Sequence, residues 1–305
     1  MSGPFSQPID ASTRFCAVYG HPIKHSASPA MQNAGLAALG LNWRYLAFEV
    51  APEHLQVALE GAKAMNFVGV NLTVPHKLLA VDLVAALDDA AKACGAVNTV
   101  VFEGRGEGGT WRPVREFPDA PPQTRAHGFN TDADAITRAL REDLGLRLSG
   151  TKILLLGAGG AGRTAALKLA AEGVAELFLV NRTRSRAEAV AKEIGEQHRG
   201  VKLTIGYPAG PVDLVLNATS LGLKQTDGVP YDQHRFSLRQ AAVVYDMVYR
   251  PAETGLLKAA KAAGCRTANG LGMLLYQGAK ALELWTGQPA PIDIMRQALK
   301  KEVYG

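Results

Sequence analysis

The chain has little cysteine: Cys16, Cys94 and Cys265 stand far apart in 305 residues and form no CxxC pair. A set so sparse and odd argues against a disulfide framework and a zinc site, and for a reducing compartment. Long apolar runs are also absent. None approaches the roughly 20 residues of a membrane span, so no membrane partner is expected. Lysine and arginine are dispersed, without a long basic run interleaved with aromatics, which argues against nucleic acid. The opening residues MSGPFSQPIDASTR are polar and hold no apolar signal core. They read as a loose lead-in over residues 1–13 and, with the cysteine usage, predict a cytoplasmic protein. What is there is an ordinary globular composition, 47% hydrophobic and 20% charged, in a chain long enough for two domains. A net charge of +5 suits small anionic ligands.

The stretch Thr151–Arg186 organises the rest. Apolar Ile153–Leu156 breaks into Gly157-Ala158-Gly159-Gly160-Ala161-Gly162, a helix pattern follows over Arg163–Ala171, and apolar Leu177–Val180 closes the unit. Strand, tight turn, helix and strand make half of a dinucleotide-binding fold. Gly157 permits the turn, Gly159 lets backbone N–H groups approach a pyrophosphate, and Gly162 lets the helix pack on the sheet. The phosphates would lie at the helix N-terminus, where unpaired N–H groups favour negative charge. One further absence is informative. An NAD enzyme usually has Asp or Glu after the second strand to bind the ribose 2′-hydroxyl. Here residues 181–186 read NRTRSR, with no acid. Guanidinium forks suit a 2′-phosphate, so the expected cofactor is NADP(H).

Strands and helices alternate before this loop is reached. Strands are predicted over 14–19, 43–50, 67–72 and 95–102, and helices over 30–39, 53–64 and 78–87. This pattern predicts a separate open α/β domain with a largely parallel sheet. Polar side chains recur where its strands end: Ser26, Ser28, Thr73, Lys77 and Asn98. Ligands of open α/β sheets bind outside the carboxyl ends of strands. Singly, each has a local explanation. Ser28 can cap the helix it precedes, with Pro29 at the first helical position, and Thr131 or Asp132 can cap a helix running to about residue 144. The Gly- and Pro-rich segment 103–127 reads as a surface loop or a β-hairpin extension. Beyond residue 181, helices are predicted over 185–196, 255–263, 292–303 and, as a long apolar helix starting within 269–273, through 285, and strands over 202–206, 212–217 and 241–247.

Several motifs together resemble the shikimate dehydrogenase family: GHPIKHSASPAMQN (20–33), NLTVPHK (71–77), GAVNTV (95–100), GFNTD (128–132), GAGGAG (157–162), NRTRSRA (181–187), NATSLGL (217–223), YDMVYRP (245–251) and GLGMLLYQ (270–277). They fall in the family's order across nearly the whole chain. The resemblance implies two α/β domains flanking a cleft: a substrate domain of residues 1–131 and 272–305, and a Rossmann-like NADP domain of residues 132–271. It implies reversible, NADP-dependent reduction of 3-dehydroshikimate to shikimate, on the route to chorismate and the aromatic amino acids.

By the same resemblance, Ser26 and Ser28 hold the substrate carboxylate, and Lys77 and Asp132 are catalytic. Thr73, Asn98, Tyr249 and Gln277 make supporting contacts. Gly157, Ala158, Gly159, Gly160, Ala161, Gly162 and Thr219 cradle the cofactor, and Asn181, Arg182, Thr183 and Arg186 clamp its 2′-phosphate. Met247 and Gly270 line the nicotinamide. The residue types fit: a lysine ammonium can polarise a keto oxygen, as proton donor or as stabiliser of the alkoxide, while an aspartate orients it. Two departures stand out. Gln32 occupies a position where the family commonly has His, expected on the helix surface, and segment 103–127 is longer than the usual hairpin. A quinate/shikimate dehydrogenase with dual substrate or cofactor use is the nearest alternative. A non-catalytic ligand-binding relative is remoter, since it would be expected to lose the lysine–aspartate pair. A homodimer is compatible with the resemblance.

Overall fold

The computed structural model describes residues 9–224 and 226–305; of the expected lead-in, residues 1–8 lie outside the described residues. In chain order the elements are β1 (Arg14–Gly20), α1 (Ser28–Ala38), β2 (Trp43–Glu49), α2 (Leu55–Ala64), β3 (Gly69–Leu72), α3 (His76–Leu79), β4 (Ala86–Leu87), α4 (Asp89–Cys94), β5 (Thr99–Arg105), β6 (Trp111–Pro113), β7 (Thr124–Phe129), α5 (Asp132–Leu144), β8 (Lys152–Leu156), α6 (Gly160–Ala171), β9 (Glu176–Val180), α7 (Arg184–Gln197), β10 (Lys202–Ile205), β11 (Val212–Asn217), β12 (Ala241–Asp246), α8 (Gly255–Ala262), β13 (Arg266–Asn269), α9 (Leu271–Thr286) and α10 (Ile292–Tyr304). They divide into two compact units. One holds the chain up to Asp132 together with Gln277–Gly305, the other Ala133–Tyr276. Among the described residues, no helix is long and apolar enough to cross a membrane.

The first unit is built on a seven-stranded sheet ordered β2-β1-β3-β5-β7-β4, with β6 added on β5. Strand β1 is parallel to β2 and β3, and β4 to β7. Strand β5 is antiparallel to β3, β6 and β7. Every strand but β5 therefore points the same way, and the start of β5 lies at the edge where β1, β3 and β7 end. The fourth strand starts at Thr99 rather than at residue 95 because residues 89–94 form α4. Asp88 caps that helix by accepting the Ala91 N–H, and Gly95 closes it at φ 56°. The helix expected over 78–87 is α-helical only to Leu79, continues as a 3-10 turn through Asp82, and gives way to a strand where Ala86–Leu87 pairs with His127–Gly128. Leu83, Val84 and Leu87 pack on the core there, so tertiary burial overrides local helix preference. Segment 103–127 is a hairpin extension whose turn uses positive φ at Gly108 and Gly109.

From Gln277 onward, α9 and all of α10 belong to this unit. Trp285 on α9 is fully buried and donates Nε1–H to the Val100 carbonyl at 3.0 Å. A Cβ on Gly69 would come within 2.0 Å of that indole nitrogen, so the strand under the ring must carry glycine.

The second unit is a six-stranded sheet ordered β10-β9-β8-β11-β12-β13, and all its pairings are parallel. Counted from β8, the order is 3-2-1-4-5-6, the dinucleotide-binding arrangement, which places the switch point between β8 and β11. Its last strand, β13, is short and half-buried, too weak a pattern to stand out in the sequence.

Candidate active site

In the first unit the expected polar residues gather at one sheet edge. Lys77 follows β3 in the short helix α3, and Asp132 opens α5 just after β7. The Lys77 Nζ donates to Asp132 Oδ2 at 2.6 Å, with the lysine 32% and the aspartate 15% exposed. Neither member is sealed in the core, so both can meet a ligand.

Asn98, read from the sequence as lying within a strand, immediately precedes β5 and reaches this edge because β5 runs in reverse. It is buried, and its amide is doubly tied to Thr131: Asn98 Nδ2 donates to Thr131 Oγ1 (2.9 Å), and Asn98 Oδ1 accepts the Thr131 N–H (2.7 Å). Asn130 Oδ1 accepts the Asp132 N–H at 3.1 Å. The Thr131 hydroxyl and the Asp132 carboxylate thus serve Asn98 and Lys77, and the helix start is held by Asn130.

Ser28 also escapes the role of cap. Helix α1 begins at Ser28 itself, Ala27 stands at the cap position, and no side chain caps it. The Ser28 N–H lies 3.4 Å from Ser26 Oγ, so the two hydroxyls share one turn. Thr73 packs on the end of β1: a Cβ on Gly20 would fall 2.5 Å from Thr73 Cγ2. Gln277 is half-buried on α9. Its neighbour Gly278 gives its carbonyl to Gln32 Nε2 at 2.9 Å. Gln32 is therefore fully buried, which corrects its expected place on the helix surface. It joins α1 to α9 beside Gln277.

The second unit presents the cofactor frame. Gly157 has φ 105°, which L side chains rarely adopt, and a Cβ there would press on the Ala218 backbone at 3.0 Å. Gly162 is equally constrained, since its Cβ would lie 2.1 Å from the Gly157 carbonyl oxygen. Gly159 and Gly160 differ: nothing lies within 4 Å of where their Cβ would be. Packing within the chain does not explain glycine at these two positions, and the space beside them is open. Gly159 stands at the cap of α6, and Gly159, Gly160 and Ala161 are exposed at its N-terminus. Ala158 donates its N–H to Asn181 Oδ1 (3.0 Å), and Asn181 Nδ2 donates to the Thr183 carbonyl (2.8 Å). Asn181 thus ties the glycine loop to the basic loop. Arg184 is paired with Glu188 at 2.7 Å, whereas Arg182 and Arg186 are exposed and have no ion pair among the described residues. Thr183 stands at the α7 cap without using its side chain there. This donor set fits a dinucleotide with a 2′-phosphate.

At the ends of β11 and β12, Asp246 ties the neighbouring loops together. It is fully buried and accepts from Asn217 Nδ2 (2.8 Å), the Val248 N–H (3.0 Å) and Thr254 Oγ1 (2.6 Å). Burial raises its pKa, against the hydrogen bonds from Thr254, Val248 and Asn217. Asn217 Oδ1 in turn accepts from the N–H and hydroxyl of Thr219. Thr219 flanks Gly157, and Met247 touches Gly270, whose Cβ would fall 2.0 Å from the Met247 carbonyl oxygen. Tyr249 follows on the same loop, and burial pushes its phenol pKa up. Reading the sequence missed Asn71, Thr131, Asn217 and Asp246 as supports. All four lie inside the family motifs, where polar residues in otherwise apolar strand ends were the available signal. Among the described residues no acidic, His or Cys cluster could hold a metal.

Comparison with known proteins gives a consistent result. Family models match residues 18–100 as a shikimate dehydrogenase substrate binding domain, 139–221 as shikimate/quinate 5-dehydrogenase, and 270–300 as a shikimate 5′-dehydrogenase C-terminal domain. The shikimate dehydrogenase (NADP(+)) of Methanopyrus kandleri is 42% identical over 302 residues, covering 96% of this chain and 97% of the relative. A shikimate dehydrogenase solved in complex with NADP+ superposes with a TM-score of 0.84 at 36% identity, covering 99% of this chain and 100% of that one. The Thermus thermophilus shikimate 5-dehydrogenase, solved with NADP(H) and shikimate, gives 0.78 at 36% identity over 95% of this chain and 99% of that one.

Proposed function

The chain belongs to the shikimate dehydrogenase family, and we propose that it catalyses the reversible, NADP-dependent reduction of 3-dehydroshikimate to shikimate through Lys77 and Asp132. NADPH, when bound, supplies the hydride. The chain supplies the rest. The Lys77 ammonium points its charge at the keto oxygen, stabilises the negative charge that develops there, and donates the proton that completes the hydroxyl. In the oxidative direction the same nitrogen takes that proton back. Asp132 fixes Nζ and offers carboxylate oxygen to a ring hydroxyl. The Asn98–Thr131 bonds keep Asp132 in register, so little reorganisation is needed during the reaction.

Ser26 and Ser28 donate to the substrate carboxylate, and Thr73, Asn98, Tyr249 and Gln277 hold ring hydroxyls. The raised Tyr249 phenol stays a neutral donor. Gly157, Ala158, Gly159, Gly160, Ala161 and Gly162 would hold the pyrophosphate, Arg182, Thr183 and Arg186 the 2′-phosphate, and Thr219, Met247 and Gly270 the nicotinamide side. Asn181 acts by splicing the two loops. The unit that runs up to Asp132 and resumes at Gln277–Gly305 would be the substrate domain, and Ala133–Tyr276 the NADP domain, a shift of one residue at the first boundary and five at the second from the expected 131/132 and 271/272. The cytoplasm suits the three cysteines, all free and buried. Edge strand β2, with Leu46 and Phe48 exposed, offers a surface to a second copy in a homodimer, which light scattering on the eluting peak would check.

The observation that carries this reading is the Lys77–Asp132 contact at the strand-end edge of a family member with a fitted NADP frame. Purified protein given shikimate and NADP+ should produce the near-ultraviolet absorbance of NADPH; no rise overturns the reading. Parallel assays with NAD+ and with quinate separate the dual-specificity alternative.

A further inference from the structure

Strand β2 carries a buried hydroxyl that the reaction does not use. Tyr45, on β2, is fully buried, and its hydroxyl donates to Asn71 Oδ1 at 2.8 Å. Asn71 Nδ2 donates to Thr99 Oγ1 (2.9 Å), and Thr99 Oγ1 donates to Asn98 Oδ1 (3.2 Å), the oxygen that also receives the Thr131 N–H. The bonds therefore run without a break from Tyr45 to the residue before Asp132.

The backbone of Tyr45 is fastened to the serine turn as well. Asn33 Nδ2 donates to the Tyr45 carbonyl (2.8 Å) and to the Pro29 carbonyl (2.9 Å), while Asn33 Oδ1 accepts the Tyr45 N–H (2.9 Å). One amide thus joins both polar backbone groups of Tyr45 to the residue directly after Ser28. Packing alone does not call for the hydroxyl. The ring lies 5.9 Å from Trp285, a contact that phenylalanine would keep, whereas burying a hydroxyl costs free energy unless it is bonded.

We propose that Tyr45 and Asn33 are positioning residues that fix the Ser26–Ser28 turn relative to the Asn98–Thr131–Asp132 ladder. The inference rests on the function proposed above, in which the serine pair holds the substrate carboxylate. The carboxylate anchor and the reacting pair then form one frame, with Tyr45 as the strut between them.

Tyr45→Phe keeps the ring and removes the strut. Calorimetric titration of shikimate should show binding weakened about tenfold, the size expected when a buried polar group loses its partner. The kcat should stay within about twofold, with NADP+ affinity unchanged, because the change acts on substrate binding. Shikimate methyl ester, which lacks the carboxylate charge, should bind wild type and variant alike. Equal shikimate affinity in the two proteins overturns the inference. So does a parallel fall in kcat, NADP+ affinity and thermal stability, which is what a merely structural role produces. Should Tyr45→Phe not fold, Asn33→Asp keeps the acceptor for the Tyr45 N–H and drops both donors. The same titrations on that variant then support or overturn the inference by the same results. Wild-type protein that neither binds nor oxidises shikimate fails the proposed function and the inference with it, an outcome recognised without any variant.

Discussion

Lys77 and Asp132 stand 55 positions apart in sequence, yet the lysine Nζ rests 2.6 Å from the aspartate Oδ2. The lysine follows one strand and the aspartate another, and β5 lies between those strands in the sheet. If this pair handles the proton and the developing charge, Lys77→Ala should lower kcat by about 10²–10⁴-fold, the usual worth of a positioned acid–base group. The KM for shikimate should move little. Steady-state kinetics on the variant decide it, and an unchanged kcat removes Lys77 from the mechanism.

Arg182 is exposed and without an ion pair among the described residues, so removing it breaks no ion pair there. Arg182→Ala should raise the KM for NADP+ about tenfold or more, because a charge-assisted bond to phosphate is lost. The KM for NAD+, which has no 2′-phosphate, should hardly change. Equal effects on the two cofactors would assign the phosphate to another arginine.

The glycines of the loop should separate by what surrounds them. Gly159 has an ordinary φ of −78° and open space at its Cβ, so Gly159→Ala should melt like wild type and bind NADP+ poorly. Gly162→Ala drives a methyl into the Gly157 carbonyl and should cost about 1–3 kcal/mol or more of stability, as overpacking does. Thermal melts with and without NADP+ read both. Two variants with the same profile would refute this division of labour.

Asp246 gives a pH prediction. Burial raises its carboxyl pKa above the unfolded value, so the native state holds that proton the more tightly. The resulting stabilisation is complete below the unfolded pKa and is lost as pH rises through the folded one. Asn at this position cannot titrate but can keep the bonds, its oxygen accepting from Asn217 and Val248 and its amide donating to the Thr254 hydroxyl. The melting temperature of Asp246→Asn relative to wild type should therefore climb as pH rises above the ordinary Asp value of about 3.9. A difference that stays flat with pH would show that Asp246 has the same pKa folded and unfolded.

The second unit was legible in the sequence because its signals are local. Gly157, Gly162 and the acid-free run after β9 each report a backbone or charge requirement within a few residues. The first unit was less so. The pull of β7 on Ala86–Leu87 ends a helix that the local pattern favours. The burial of Gln32 depends on Gly278, 246 positions away. Ser28 reads as a cap from its neighbours alone, and only the true start of α1 releases its hydroxyl. Candidate site residues could be proposed from motifs, but the bonds that hold Asn98 to Thr131 could not, since a strand direction decides them.

That direction has one more consequence. A strand running against its neighbours delivers its first residue to one rim of the sheet and its last to the opposite rim. Asn98 therefore stands at the rim that carries Lys77 and Asp132, while Arg105 leads away from it into the hairpin, whose turn at residues 107–109 is exposed. Lengthening that hairpin would leave the rim that carries Lys77 and Asp132 untouched. The reversed strand insulates a part of the protein that must keep its geometry from a part that evolution, or an engineer attaching a label, is free to rewrite.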